Sequence, residues 1–153
     1  MAPKNALTLI GAVALCELAG LIGSVFTISA IPVWYAGLVK PALNPPSWVF
    51  APVWTLLYLL MGIALFLVWQ KHEKKALMLF AVQLFLNTLW TPIFFGLHNP
   101  LAGLAVIVLL WFAVLATTVE FYKSSKVATV LLVPYLAWVT FALYLNLSIW
   151  LLN

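Results

Sequence analysis

The chain has 153 residues, of which 67% are apolar and only 7% are charged, and its formal net charge is +4. A soluble globular domain carries about 25% charged residues, so this chain has too few charges to cover a water-facing surface. The composition excludes a soluble enzyme and a disordered segment, and seven Lys without Arg are too sparse for a nucleic-acid-binding surface. We therefore predict an integral membrane protein.

Five charge-poor segments predict five membrane-spanning helices. About 20 apolar residues in a helix cross a hydrocarbon core of about 30 Å. Segments 6–30, 48–70, 76–97, 101–122 and 127–152 are this long, and the charges within them are Glu17 and Glu120. Their apolar runs do not alternate as the strands of a membrane barrel would. We predict one all-α domain over residues 1–153, a bundle of five transmembrane helices.

The first span carries small residues at a regular spacing. Ala12, Cys16, Gly20 and Ser24 recur every four residues, and such a series allows helices to approach closely in lipid. Glu17 borders this series, and a carboxylate at membrane depth suggests a functional site. A neutral or water-solvated acid is the alternative interpretation, so the role of Glu17 stays open.

The connection at 31–47 differs from the other loops in length and composition. It is about 17 residues long and holds four prolines, the aromatic pair Trp34 and Tyr35, and Lys40. Proline lacks a backbone donor, so this stretch is not expected to form lipid-exposed helix. Aromatic residues between stiffening prolines favour a structured lid over a flexible linker.

Polar and aromatic side chains recur at helical spacing on three spans. Buried amides need partners in hydrocarbon, so we expect Gln83, Asn87 and Asn146 to face the bundle interior. They could simply join helices, or they could be the polar groups of an apolar pocket for a flat ligand. The three stripes are Trp54, Tyr58 and Met61; Gln83, Asn87, Trp90 and Phe94; and Tyr135, Trp138, Ala142, Asn146 and Ile149.

Tryptophan is abundant, and position separates two groups. Trp69 and Trp150 lie near span ends, where interfacial belts enrich this residue. Trp54, Trp90, Trp111 and Trp138 lie deeper and are candidates for a binding site.

Lysines predict the orientation of the bundle. Six of them lie on the side of the N-terminus and only Lys40 lies opposite, so the positive-inside rule predicts a cytoplasmic N-terminus. No metal site or conventional catalytic constellation is expected, and a solvated loop is the favoured environment for His98.

Short motifs along most of the chain support a more specific interpretation. They are WYAGL at 34–38, KP at 40–41, PP at 45–46, WVF at 48–50, PVWT at 52–55, WTP at 90–92, FFG at 94–96, PYLAW at 134–138 and LN at 145–146. Together they resemble the translocator protein family, also called tryptophan-rich sensory proteins or peripheral-type benzodiazepine receptors.

This resemblance implies a pocket beneath the lid that binds tetrapyrroles such as protoporphyrin IX and related flat hydrophobic ligands. The porphyrin is then a ligand rather than a cofactor. By matching position, the ligand-binding residues would be Tyr35, Trp54, Tyr58, Asn87, Trp90, Trp138, Ala142 and Asn146.

Two alternatives follow from the same resemblance. One is a light-dependent porphyrin-degrading enzyme with Trp54 and Trp138 as the catalytic candidates, and the other is a porphyrin or sterol transporter. The resemblance also implies a homodimer. Leu147 and Leu151 replace the Tyr and Arg of the sterol-recognition stretch in animal members, which argues against sterol binding. The chain also ends at Asn153 without the basic tail of animal members, which favours a bacterial or archaeal cell membrane.

Overall fold

The structure, a computed structural model, describes residues 3–153 as five long helices. They are α1 (Pro3–Ala30), α2 (Phe50–Trp69), α3 (Lys74–Thr91), α4 (Pro100–Ser124) and α5 (Lys126–Leu152). Each is long and apolar enough to cross a membrane. The prediction of an all-α bundle with five transmembrane helices is confirmed.

The helices form a closed ring in the order α1, α2, α5, α4, α3. In this ring α1 packs against α2 and α3, α2 packs against α5, and α4 packs against both α3 and α5. Apolar side chains also cover the outside, for example Leu21 and Val25 of α1 and Phe85 of α3. Such a surface is stable against lipid rather than water, as expected for a multi-pass membrane protein.

Proline-led π-helical turns extend α1 and α3. The turn Ile31–Tyr35 begins with Pro32 next to its first residue, and the turn Pro92–Gly96 begins with Pro92. Because Pro has no backbone N–H, the regular pattern of hydrogen bonds cannot pass through it unchanged. The wider π pattern takes over, and Ala36 N–H donates to the carbonyl oxygen of Ile31 five residues earlier.

The lid is therefore shorter than predicted. The sequence placed it at 31–47, but helical structure continues to Gly37 and resumes in a 3₁₀ turn at Ser47–Val49. The non-helical part is residues 38–46, which we call the mouth loop. The prolines that suggested an early end of the helix are accommodated by the π turn at the end of α1.

Side-chain hydrogen bonds tether the mouth loop to the bundle. Val39 N–H donates to Asn153 Oδ1 at 2.9 Å, and Asn153 Nδ2 donates back to the Val39 carbonyl oxygen at 3.1 Å. Tyr35 Oη donates to Asn44 Oδ1 at 2.7 Å. Lys40 Nζ donates to the carbonyl oxygens of Ala36 and Leu38. The loop is thus attached to both α1 and α5, as a structured lid would be.

The helices are closely packed in the half of the bundle away from the mouth loop. A Cβ added to Gly62 would lie 2.5 Å from the Cα of Val13, so α1 and α2 touch there backbone to backbone. Cys16 of α1 is fully buried on the same side of the bundle. The small-residue series of α1 therefore serves contacts within this bundle, as close helix packing in lipid requires.

Candidate ligand-binding cavity

A cavity of about 430 Å³ occupies the half of the bundle next to the mouth loop. Parts of α1, α2, α3 and α5 form its wall, while α4 lies behind α3 and α5. The eight residues that the sequence singled out all line this one cavity: Tyr35, Trp54, Tyr58, Asn87, Trp90, Trp138, Ala142 and Asn146.

The three stripes predicted from helical spacing all face inward. Gln83, Asn87 and Asn146 are 1%, 3% and 1% exposed, so the prediction for these amides is confirmed. Met61 and Tyr135 are fully buried below the cavity. Periodicity identified these faces because residues three and four apart share one side of a helix.

A chain of hydrogen bonds forms the polar part of the cavity floor. Tyr58 Oη donates to Asn87 Oδ1 at 2.5 Å, and Asn87 Nδ2 donates to Tyr135 Oη at 3.0 Å. Tyr135 Oη then donates to Gln83 Oε1 at 2.9 Å. The chain joins α2, α3 and α5, so it also sets the distances among three walls of the cavity. Asn87 thus both joins helices and lines the pocket, whereas Gln83 joins helices without lining it.

A second polar link lies nearer the mouth. Trp90 Nε1 donates to Asn146 Oδ1 at 3.0 Å, and Asn146 Nδ2 donates to the Pro100 carbonyl oxygen at 2.8 Å. A Cβ on Gly103 of α4 would lie 2.8 Å from Phe94 Cδ2 and 3.1 Å from Asn146 Oδ1. Only glycine lets α4 come close enough for this link, and periodicity alone did not reveal that requirement.

Aromatic rings line most of the remaining wall. Trp54 stacks on Tyr58 at 5.5 Å between ring centroids and meets Trp138 edge to face at 6.5 Å. Trp90 stacks on Phe94 at 5.1 Å. Such geometries are the favoured ones for aromatic pairs, and they leave flat apolar surfaces toward the cavity.

Phe50 and Phe141 also line the wall, although they were not among the predicted binding residues. The ring of Phe50 lies 6.0 Å from that of Trp138, and the ring of Phe141 lies 5.6 Å from it. Phe50 precedes Trp54 by four residues and Phe141 follows Trp138 by three. Helical spacing from the chosen tryptophans was therefore the signal that could have found both.

The tryptophan candidates are corrected at one position. Trp111 is not among the residues that line the cavity, and its Nε1 donates to Thr140 Oγ1 at 2.8 Å on the far side of α5. Its depth along α4 resembled that of the cavity tryptophans, but depth does not determine which way a side chain points. Trp69 and Trp150 are exposed at helix ends, as predicted for belt residues.

The environment of His98 is also settled by the structure. His98 is exposed in the connection before α4, has a φ of 53°, and stacks on Trp34 at 4.7 Å. It lies outside the cavity lining. Among residues 3–153, no group of three His, Cys, Asp or Glu side chains could hold a metal ion.

Comparison with known proteins places this architecture in context. Residues 12–151 match the family described as TspO/MBR. The chain is 49% identical to "Tryptophan-rich protein TspO" of Chlorobaculum tepidum, over 98% of both chains. It is 46% identical to the protein of the same name from Archaeoglobus fulgidus, over 97% of this chain and 99% of that one. It is 45% identical to human "Translocator protein", over 76% of this chain and 73% of the human one.

Proposed function

The chain belongs to the TspO/MBR family, and from this premise we propose that it is a membrane receptor or sensor for tetrapyrroles. Protoporphyrin IX and related flat hydrophobic molecules are the proposed ligands. The proposed site is the cavity beneath the mouth loop, with Tyr35, Trp54, Tyr58, Asn87, Trp90, Trp138, Ala142 and Asn146 as its binding residues.

The observation that carries this proposal is the chemistry of the cavity wall. Ligand sites are concave, largely apolar, and carry a few polar groups that orient the ligand, within volumes of roughly 300–1,000 Å³. The cavity of about 430 Å³ combines flat indole and phenyl faces with two amides held by hydrogen bonds. A planar tetrapyrrole can stack on such faces and bury its apolar surface at the same time.

A second candidate function is light-dependent oxidation of the bound porphyrin. The indoles of Trp54 and Trp138 both line the cavity and pack edge to face, with ring centroids 6.5 Å apart. An indole can give one electron to the excited porphyrin, and dioxygen then takes that electron from the porphyrin radical anion as superoxide. The indole radical cation takes an electron back from the porphyrin, which restores the indole and leaves a porphyrin radical cation that combines with the superoxide. Phenylalanine cannot replace tryptophan in that step because its ring is much harder to oxidise.

Porphyrin titrations of the purified protein in the dark test binding. We expect saturable quenching of tryptophan fluorescence with the wild type. Ala142→Leu adds volume inside the cavity and should weaken binding at least tenfold, whereas Ala137→Leu, an exposed residue of the same helix, should leave it unchanged. Equal affinities for the two leucine variants would contradict binding in this cavity.

Illumination of the same samples separates the two candidate functions. A receptor should not accelerate the decay of porphyrin in light. Trp54→Phe and Trp138→Phe should change the porphyrin affinity severalfold at most, since most of the stacking surface remains. If porphyrin absorbance falls in light with the wild type but not with the Trp→Phe variants, the oxidation function is supported. If the porphyrin decays equally fast in all samples and in free solution, only the binding function is supported.

We further propose a cytoplasmic N-terminus, a bacterial or archaeal cell membrane, and a homodimer. Six lysines on the N-terminal side against Lys40 on the other support the orientation. The small residues of α1 near Val13 are occupied by contacts with α2, so a second copy would have to dock on another face.

A further inference from the structure

Among the described residues, one charged side chain lines the cavity. It is Glu17 of α1, and no lysine accompanies it there. Along α1, Glu17 precedes the lining residue Ile31 by 14 residues, which corresponds to about 21 Å at 1.5 Å per residue. Glu17 therefore lies at the cavity floor, far from the mouth loop.

Within the described part of the chain, this carboxylate forms no ion pair. The two ion pairs formed within residues 3–153 both use Glu120, which bonds Lys75 and Lys123 near the end of the bundle opposite the mouth loop. A carboxylate at membrane depth is costly unless a cation or a hydrogen-bond donor compensates it. The polar group that compensates Glu17 can come from a molecule in the cavity.

The hydroxyl of Tyr58 is a second acceptor beside Glu17. A Cβ on Gly20 would collide with Tyr58 Cε2, so the ring lies directly against α1 one turn from Glu17. Residues three apart share a helix face, which puts the carboxylate on the side of this ring. The Tyr58 O–H hydrogen is already donated to Asn87 Oδ1, so its remaining hydrogen-bonding capacity is as an acceptor.

The mouth has the opposite electrostatic character. Lys40 lies in the mouth loop, where its Nζ bonds the carbonyl oxygens of Ala36 and Leu38 at 3.2 and 3.1 Å and lies 5.0 Å from the centroid of the Tyr35 ring. An elongated ligand thus meets a cation near the entrance and two acceptors at the floor. The arrangement favours one orientation of any ligand that has a charged edge.

We propose that Glu17 and Tyr58 form a subsite for a protonated amine or another strong hydrogen-bond donor on the innermost edge of the ligand. A tetrapyrrole with carboxylate side chains consequently lies with those carboxylates toward the mouth loop. This inference rests on the proposed function, because it assigns a polarity to the same cavity.

Three porphyrins with the same ring and with side chains of different charge provide the test. They are protoporphyrin IX, its dimethyl ester, and its diamide with ethylenediamine, which carries two amines. Each is titrated against the wild type, Glu17→Gln and Glu73→Gln. The second variant changes the net charge equally, but Glu73 is exposed in the connection before α3.

Glu17→Gln should weaken binding of the diamine about tenfold, the size expected for loss of a charge-assisted hydrogen bond. It should leave the ester unchanged and strengthen binding of the dicarboxylate severalfold. Unchanged ester binding also shows that the variant is folded. Tyr58→Phe should weaken the diamine severalfold relative to the ester, and Glu73→Gln should alter none of the three affinities.

The outcomes distinguish the two proposals. If the wild type binds the porphyrins but Glu17→Gln leaves the ratio of diamine to dicarboxylate affinity unchanged, the subsite is refuted and the receptor function stands. The subsite is equally refuted if the variant shifts all three affinities by one factor, which indicates a structural role. If the wild type binds none of them saturably, the proposed function fails and the subsite fails with it.

Discussion

The two halves of the bundle use the same helices for opposite purposes. In the half away from the mouth loop, Gly62 brings α2 against the backbone of α1, and Ala64, Ala76 and Ala128 are fully buried between helices. In the half next to the mouth loop, the facing positions carry Trp, Tyr and Phe, and the helices surround a cavity. Between α1 and α2, the missing side chain at Gly62 therefore lets the two helices touch, whereas Trp54 and Tyr58 of α2 line the cavity nearer the mouth.

The largest effect on stability is expected at the contact between α1 and α2 in the half away from the mouth loop. Gly62→Ala places a methyl group 2.5 Å from the Val13 Cα, which must move α1 away from α2 and should lower the free energy of unfolding by about 1–3 kcal/mol. Gly11→Ala is the matched control, since nothing lies within 4 Å of its Cβ. Denaturation of both variants in detergent, followed by circular dichroism, measures the difference. Equal stabilities of the two variants would show that packing in the half away from the mouth loop does not depend on this contact.

A smaller effect is expected at the boundary between the halves, where Asn87 joins α2 to α5. Asn87→Leu removes its bonds to Tyr58 and Tyr135, and interhelical hydrogen bonds in membranes contribute on average about 0.6 kcal/mol each. We expect a loss of about 1 kcal/mol in unfolding free energy together with weaker porphyrin binding. Thr88→Val, which loses only a bond to the Leu84 carbonyl, should change neither quantity. If Asn87→Leu binds porphyrin as tightly as the wild type does, Asn87 does not contribute to the binding site.

The smallest effect on stability is expected at the mouth loop. Asn153→Ala removes three hydrogen bonds at the end of α5, two to Val39 that are exposed to solvent and one to the Ile149 carbonyl oxygen, so the unfolding free energy should fall by no more than about 0.5 kcal/mol. Release of bound porphyrin should nevertheless accelerate severalfold, because the loop loses its attachment to α5. Stopped-flow fluorescence measures the rate, with exposed Asn5→Ala at the other end of the bundle as the control. An unchanged rate would mean that the loop does not limit release.

The inward polar and aromatic stripes of α2, α3 and α5 were predictable because their signals are local. Gln83, Asn87 and Asn146 are polar residues in apolar spans, and such residues turn inward wherever the neighbours are lipid. Trp54 and Trp138 share helix faces with polar residues, and the family motifs include them. Trp111 was assigned wrongly because it was judged by depth, and its own face of α4 carries no such polar stripe.

The number of helices, their spans and their inward faces follow from hydropathy and period, which are properties of each segment alone. The position of the cavity does not, because it depends on where α1 and α2 touch at Gly62 and where they diverge. The length of the mouth loop likewise depended on whether the helix could continue beyond Pro32 in a π turn. Glu17 and Tyr58 are 41 positions apart in the sequence. They share a cavity floor because Gly20 lets the Tyr58 ring lie against α1, a contact between helices that no single segment encodes.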